Sequence, residues 1–207
     1  MERADQSGIV LAVRESGEAD SIADILTRTG RRSIVFKGIR KTRKRDTGVC
    51  YPGCVIIFGA RDSHGPLRAA AHFSLTYLPT AAQKDYTANI VLQILLETLL
   101  RTTPEAENTA ALHDTAEAAI RYLGDGASPP HLLAGVMARM LRIHGILPSF
   151  ASGETGEKII ARGRLAPDDV RYIGELTGKP FHEVNHDAVS AAAARRIALA
   201  LARFMED

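Results

Sequence analysis

The sequence predicts an α+β protein of two parts, a small five-stranded β-barrel over residues 1–79 and an all-α domain over residues 80–207. Three observations carry this. The first 79 residues hold five short runs rich in β-branched residues, separated by turn residues. After Pro79 the apolar spacing becomes that of helices. Nine of the 26 basic side chains crowd between Arg28 and Arg45, a window without an acid, so the first part also stands apart in charge.

The strands come in order. Gly8 to Arg14 is an apolar run followed by the polar turn Glu15-Ser16-Gly17-Glu18. Ile22 to Thr27 fits helix or strand by pattern alone, but the turn Thr29-Gly30-Arg31-Arg32 and the run Ser33 to Lys37 argue for a strand pair. A polar loop runs from Gly38 to near Pro52, then Cys54 to Phe58 forms a strand. Arg61 to Pro66 is dense in turn residues, and Leu67 to Leu75 returns. Five such strands fit a small barrel, of which the OB fold is a common nucleic-acid-binding form.

The helices follow. Tyr86 to Leu100 places Ile90, Val91, Ile94, Leu95 and Leu99 at helical spacing. Thr103-Pro104-Glu105 reads as a cap with proline at the first helical position, opening a second helix to about Leu123. Ser128-Pro129 starts a third that Gly145 closes. Pro148 to Arg164 is polar and glycine-containing. Pro167 starts a short helix ending at Gly178, and Ala188 to Met205 forms a final alanine-rich one, with Asn185 and Asp187 as its expected caps.

Composition narrows the function. Through Arg45 the chain has eleven basic and six acidic side chains, net +5, and from Asp46 onward fifteen and eighteen, net −3. Cations concentrated on a small β-rich segment are the footprint of a polyanion, most often nucleic acid; the plainer reading is a loop that keeps the protein in solution. No apolar run approaches the roughly 18 residues needed to span a bilayer. The polar N-terminus is not a signal peptide, and Cys50 and Cys54 are too few for a disulfide framework or a zinc site. A cytoplasmic, nucleoid-associated protein is expected.

The order of landmarks resembles a known family. Gly8-Ile9-Val10-Leu11, Gly17-Glu18-Ala19-Asp20, Leu26-Thr27-Arg28-Thr29-Gly30 and Phe36-Lys37-Gly38-Ile39-Arg40-Lys41 are similar to the N-terminal domain of the bacterial recombination mediator RecO. Met140-Leu141-Arg142-Ile143-His144-Gly145-Ile146-Leu147-Pro148 is similar to the G-x-x-P helix end of that family. The resemblance implies a protein that binds single- and double-stranded DNA and anneals complementary strands. With RecR it would help place RecA on DNA coated with single-strand-binding protein. Many members carry a four-cysteine zinc module after the G-x-x-P; Ser149 to Asp207 has no cysteine, so neither zinc nor any other cofactor is implied.

Such a function needs a cationic surface and no catalytic residue. Lys37, Arg40, Lys41, Arg43, Lys44 and Arg45 supply it, and Arg31 and Arg32 on the preceding turn would extend it. Phe36, Tyr51, Phe58, Phe73 and Tyr77 are candidate stacking platforms, each also a candidate for the barrel interior. Arg139 and Arg142, among Met137, Met140 and Leu141, could edge an apolar groove. The family's helical domain receives the acidic, hydrophobic-ended tail of single-strand-binding protein, which wants that combination. The alternative is a core-facing helix whose arginines are its wet side.

Two other functions compete. A generic RNA- or DNA-binding OB protein would show the same charge. His182-Glu183-Val184-Asn185-His186 matches H-E-x-x-H, the zinc-peptidase pattern, which requires both histidines one turn apart on a continuous helix. Gly178-Lys179-Pro180 just before it argues against that helix. There is no phosphate loop of the G-x-x-x-x-G-K-[ST] type and no G-x-S-x-G elbow. The pair Asp168-Asp169 favours a helix start rather than nuclease chemistry.

Overall fold

The structure, a computed structural model, describes residues 5–41, 51–61, 67–103, 105, 108–147 and 165–203. The strands are β1 (Gln6–Ser16), β2 (Asp20–Thr27), β3 (Gly30–Phe36), β4 (Val55–Arg61) and β5 (Arg68–Tyr77). They close into a barrel in the order β1-β2-β3-β5-β4. All pairings are antiparallel except β3 with β5, which are parallel and pair only at Ile34↔Arg68 and Val35↔Ala69. The fold class is the one the sequence predicts. Tertiary pairing resolves the ambiguous 22–27 segment as β2, because Ile25 and Leu26 then point to opposite sides of one wall and both are buried.

Closure depends on β1, which pairs with β4 through Gln6 to Ile9 and with β2 from Gly8 onward. A bulge between Val10 and Ala12 bends it between the two. Gly8 sits where both partners crowd in: a Cβ there would run into the Ile25 side chain and lie 3.1 Å from Phe58 and 3.2 Å from the Leu26 carbonyl. Ile25 is wholly buried and β-branched, so it has little freedom to yield. Gly8→Ala is predicted to destabilise the fold by about 1–3 kcal/mol through overpacking, read as a shift in urea midpoint at unchanged slope.

Among the described residues the helices are α1 (Thr80–Lys84), α2 (Tyr86–Thr102), α3 (Ala110–Gly124), α4 (Pro129–Ile143), α5 (Pro167–Gly178) and α6 (Ala191–Arg203). Two boundaries and one short helix differ from the sequence reading. Thr103 does not cap α3; its N–H closes α2 by bonding the Leu99 carbonyl, and α3 starts at Ala110 behind Thr109. The final helix starts at Ala191, with the Ser190 hydroxyl accepting from the Ala193 N–H, while His186–Ala188 forms a separate 3-10 turn. At five residues, α1 is too short to leave a periodic signal.

The barrel wall is buried on both sides where the helices cover it. Its interior holds Val10, Ile25, Ile34, Phe36, Ile56 and Phe58. Its outer face contributes Ile9, Leu11, Leu26 and Val55 to a second core with Leu92, Leu95, Leu99 and Ile120. The strand and helical parts thus share apolar packing. Helix α4 is the hub, with Leu132, Val136 and Met140 facing that core and Met137, Ala138 and Leu141 facing a third core with α5 and α6. A helix apolar on this many sides is buried, as its sequence requires.

Candidate nucleic-acid interface

The turn that leaves β3 is held to the barrel by one apolar plug. Ile39 is only 4 % exposed and packs into the barrel interior, while Lys37, Arg40 and Lys41 around it are exposed. Gly38, at φ +70°, lets the chain reverse there, and its N–H bonds the Asp20 carboxylate at 2.8 Å. The Arg40 N–H bonds the Ala19 carbonyl at 3.0 Å, so this turn lies against the β1–β2 turn. The Arg40 guanidinium reaches the Gly17 carbonyl at 3.0 Å and Glu15 at 2.8 Å, and Lys41 reaches Glu18 at 3.2 Å. These are solvent-exposed pairs worth little by themselves, and a phosphate can compete with them. Arg43, Lys44 and Arg45 lie outside the described residues.

At the other end of β3 the cations are engaged with the helices. Arg28 bonds both Asp114 carboxylate oxygens at 2.7 and 2.8 Å. Arg31 donates to the Leu100 carbonyl at 3.1 Å, the C-terminal end of α2, and lies 3.6 Å from Glu105. The buried Thr109 hydroxyl donates to the Thr27 carbonyl at 2.6 Å and accepts from the Gly30 N–H at 2.9 Å. The basic window is therefore split along β3, roughly 20 Å of extended chain. One end clamps the barrel to the helices, and the other carries the exposed turn. Arg32 lies between, donating to the Thr29 carbonyl at 3.2 Å and lining the β3–β5 seam with Arg68. The sequence reading passed over Arg68, which only the strand pairing brings there.

The aromatic candidates divide as a small barrel demands. Phe36 and Phe58 fill the interior, and Phe73 meets Phe36 edge-on at 5.1 Å. Tyr77 packs under the Arg121 guanidinium at 4.7 Å, and burial raises its pKa. Tyr51, 54 % exposed, is the most open of the five, while Phe73 and Tyr77 are partly buried.

On the helical side, Arg139 and Arg142 serve the end of α5. Arg139 donates to the Leu176 carbonyl at 2.8 Å and to the Lys179 carbonyl, and its guanidinium lies 3.7 Å over the Phe181 ring. Burial lowers its pKa. Arg142 donates to the Thr177 carbonyl at 2.8 Å but stays exposed. Both border a cleft of roughly 680 Å3 that also takes in Ile143, Ala118 and Asp114.

The H-E-x-x-H segment is not a helix. Phe181–Glu183 and His186–Ala188 are separate 3-10 turns joined through extended Val184, so the two histidines do not share a helical face. His186 has both nitrogens committed: Nδ1 accepts from the Tyr172 hydroxyl at 2.8 Å and Nε2 donates to the Phe181 carbonyl at 2.9 Å, a tautomer assigned from these partners. Burial first, then Glu175 and Tyr122, push the Tyr172 pKa up to about 12, which keeps that donor protonated. Among the described residues, no group of three or more His, Cys, Asp or Glu is placed to hold a metal.

Two family models match the chain in the order of its two structural parts. "Recombination protein O N terminal" matches residues 1–73, the barrel, and "Recombination protein O C terminal" matches residues 83–206, the helices. The chain belongs to the RecO family. The comparison with curated proteins finds no match. RecO membership places the protein in DNA repair and recombination, as a DNA-binding protein of a family of mediators that generally lack catalysis. No helix among the described residues is long and apolar enough to cross a membrane.

Proposed function

We propose that this RecO protein binds single- and double-stranded DNA through the barrel end built on Lys37, Arg40 and Lys41 and continued by Arg43, Lys44 and Arg45. On that surface it anneals complementary strands and, with RecR, assists RecA loading on DNA coated with single-strand-binding protein. The observation that carries this is the Ile39 plug, which fixes an exposed cationic turn to the barrel. Annealing needs cations that offset the repulsion of two phosphate backbones without reading bases, and lysines and arginines on a turn meet that need. Arg31 and Arg32 contribute at the seam, beyond their structural bonds. The cleft beside Arg139 and Arg142 suits the acidic, hydrophobic-ended tail of single-strand-binding protein, with Arg142 the more accessible cation and Ile143 an apolar contact.

Fluorescence-detected annealing of two complementary oligonucleotides, bare and then coated with single-strand-binding protein, tests the reading. Acceleration on both substrates that fades with salt is expected. Binding without annealing would reduce the protein to a generic OB-type binder, and no binding at low salt would overturn the assignment.

A further inference from the structure

The β1–β2 hairpin turn lies against the cationic turn that follows β3, and it carries acids. β1 and β2 pair up to Ser16↔Asp20, so a loop of only Gly17, Glu18 and Ala19 joins them. Backbone groups seat this loop on its neighbour. The Arg40 N–H bonds the Ala19 carbonyl at 3.0 Å, and the Gly38 N–H bonds the Asp20 carboxylate at 2.8 Å. With Ile39 also buried in the barrel, the two turns need no further ion pair to stay together. Two are nevertheless present. Glu15 lies 2.8 Å from Nη2 of Arg40, whose Nη1 donates to the Gly17 carbonyl at 3.0 Å, and Glu18 lies 3.2 Å from Nζ of Lys41. The Glu15 and Glu18 side chains are 74 % and 90 % exposed, so these pairs add little stability.

We propose that Glu15 and Glu18 are internal competitors for the phosphates of DNA, occupying Arg40 and Lys41 until a strand displaces them. The proposal rests on the DNA-binding reading above and adds regulation to the same surface. Geometry argues for mimicry. The two terminal nitrogens of one guanidinium can take two oxygens of one phosphate, and on Arg40 a carbonyl and a carboxylate oxygen hold those two places. Exposure argues for exchange, because a solvated pair opens at little cost. An isolated anion that displaces one carboxylate trades one pair for another and gains little. A strand presents successive phosphates, so it can displace both acids and release condensed counterions as well. The acids therefore lower affinity while leaving a polyanion able to bind, and they re-form their pairs as a strand departs. That suits annealing, in which a strand must be held and then given up.

The test is fluorescence anisotropy of one labelled single-stranded oligonucleotide at low salt. Glu15→Gln/Glu18→Gln is expected to bind roughly threefold to tenfold tighter than wild type, the size expected when two exposed ion pairs no longer compete. That gap should close as salt screens it. Two double-mutant cycles separate direct competition from a general gain in positive charge. They join Glu15→Gln to Arg40→Gln and Glu18→Gln to Lys41→Gln, each removing one cation so that binding stays measurable. Each glutamate change should lose most of its gain once its partner cation is gone. Thermal melting verifies that every variant is folded. Equal binding by wild type and Glu15→Gln/Glu18→Gln would overturn the proposal while DNA binding stands. So would a gain of the same size with and without the partner cation. Failure of the wild type to bind any oligonucleotide at low salt would instead sink the DNA-binding reading itself.

Discussion

Replacing Lys41, Arg43, Lys44 and Arg45 together by alanine is expected to weaken DNA binding by the same factor for every sequence tested. The reason is electrostatic: each lysine or arginine that neutralises a phosphate releases a condensed counterion, worth roughly 0.7 to 0.9 in the slope of log affinity against log salt. Four lost contacts should flatten that slope by about 3. The gap between wild type and variant then narrows roughly sixtyfold between 50 and 200 mM salt. Ile39 remains in place, so the turn stays seated, and the exposed Lys41 contributes little to stability, so the melting temperature should barely move. Isotherms at four salt concentrations on two unrelated oligonucleotides measure this. Equal slopes for wild type and variant would remove the turn as the DNA surface; a sequence-dependent loss would mean that it reads bases.

The basic window shows what a sequence can and cannot disclose. Strand positions were legible because each strand is a short β-branched run bounded by turn residues, and alternation sorts Ile25 from Leu26 once the wall is known to be covered on both faces. The candidate surface was legible as a density of charge. Its division was not, because the partners that claim Arg28 and Arg31 are Asp114 and the Leu100 carbonyl, 86 and 69 residues along the chain. No local pattern reports such a contact. The same cause misplaced the start of α3. Thr-Pro-Glu at 103–105 satisfies every local rule for a helix cap, yet Thr109, committed to the β2–β3 turn, is where the helix begins. The H-E-x-x-H match failed for the opposite reason, since local chemistry was decisive: Pro180 precedes Phe181, and the chain folds into two short turns.

Two buried threonines near the joint of barrel and helices should respond in opposite ways to one substitution. The Thr109 hydroxyl serves two buried backbone groups, the Thr27 carbonyl and the Gly30 N–H. Thr109→Val keeps the volume and strips both of that partner, an expected loss of about 2–4 kcal/mol if each group bears its own desolvation cost. The Thr103 hydroxyl is also buried, but it has no partner among the described residues. Thr103→Val removes an unsatisfied polar atom and leaves no orphan behind, so stability should be unchanged or rise by up to about 1–3 kcal/mol. Paired urea titrations of the two variants decide this. Equal destabilisation would mean that shape, not hydrogen bonding, governs these sites. If instead Thr109→Val alone is destabilised and its barrel and helices no longer melt together, that hydroxyl is the lock through which the helices hold the DNA-binding barrel in register.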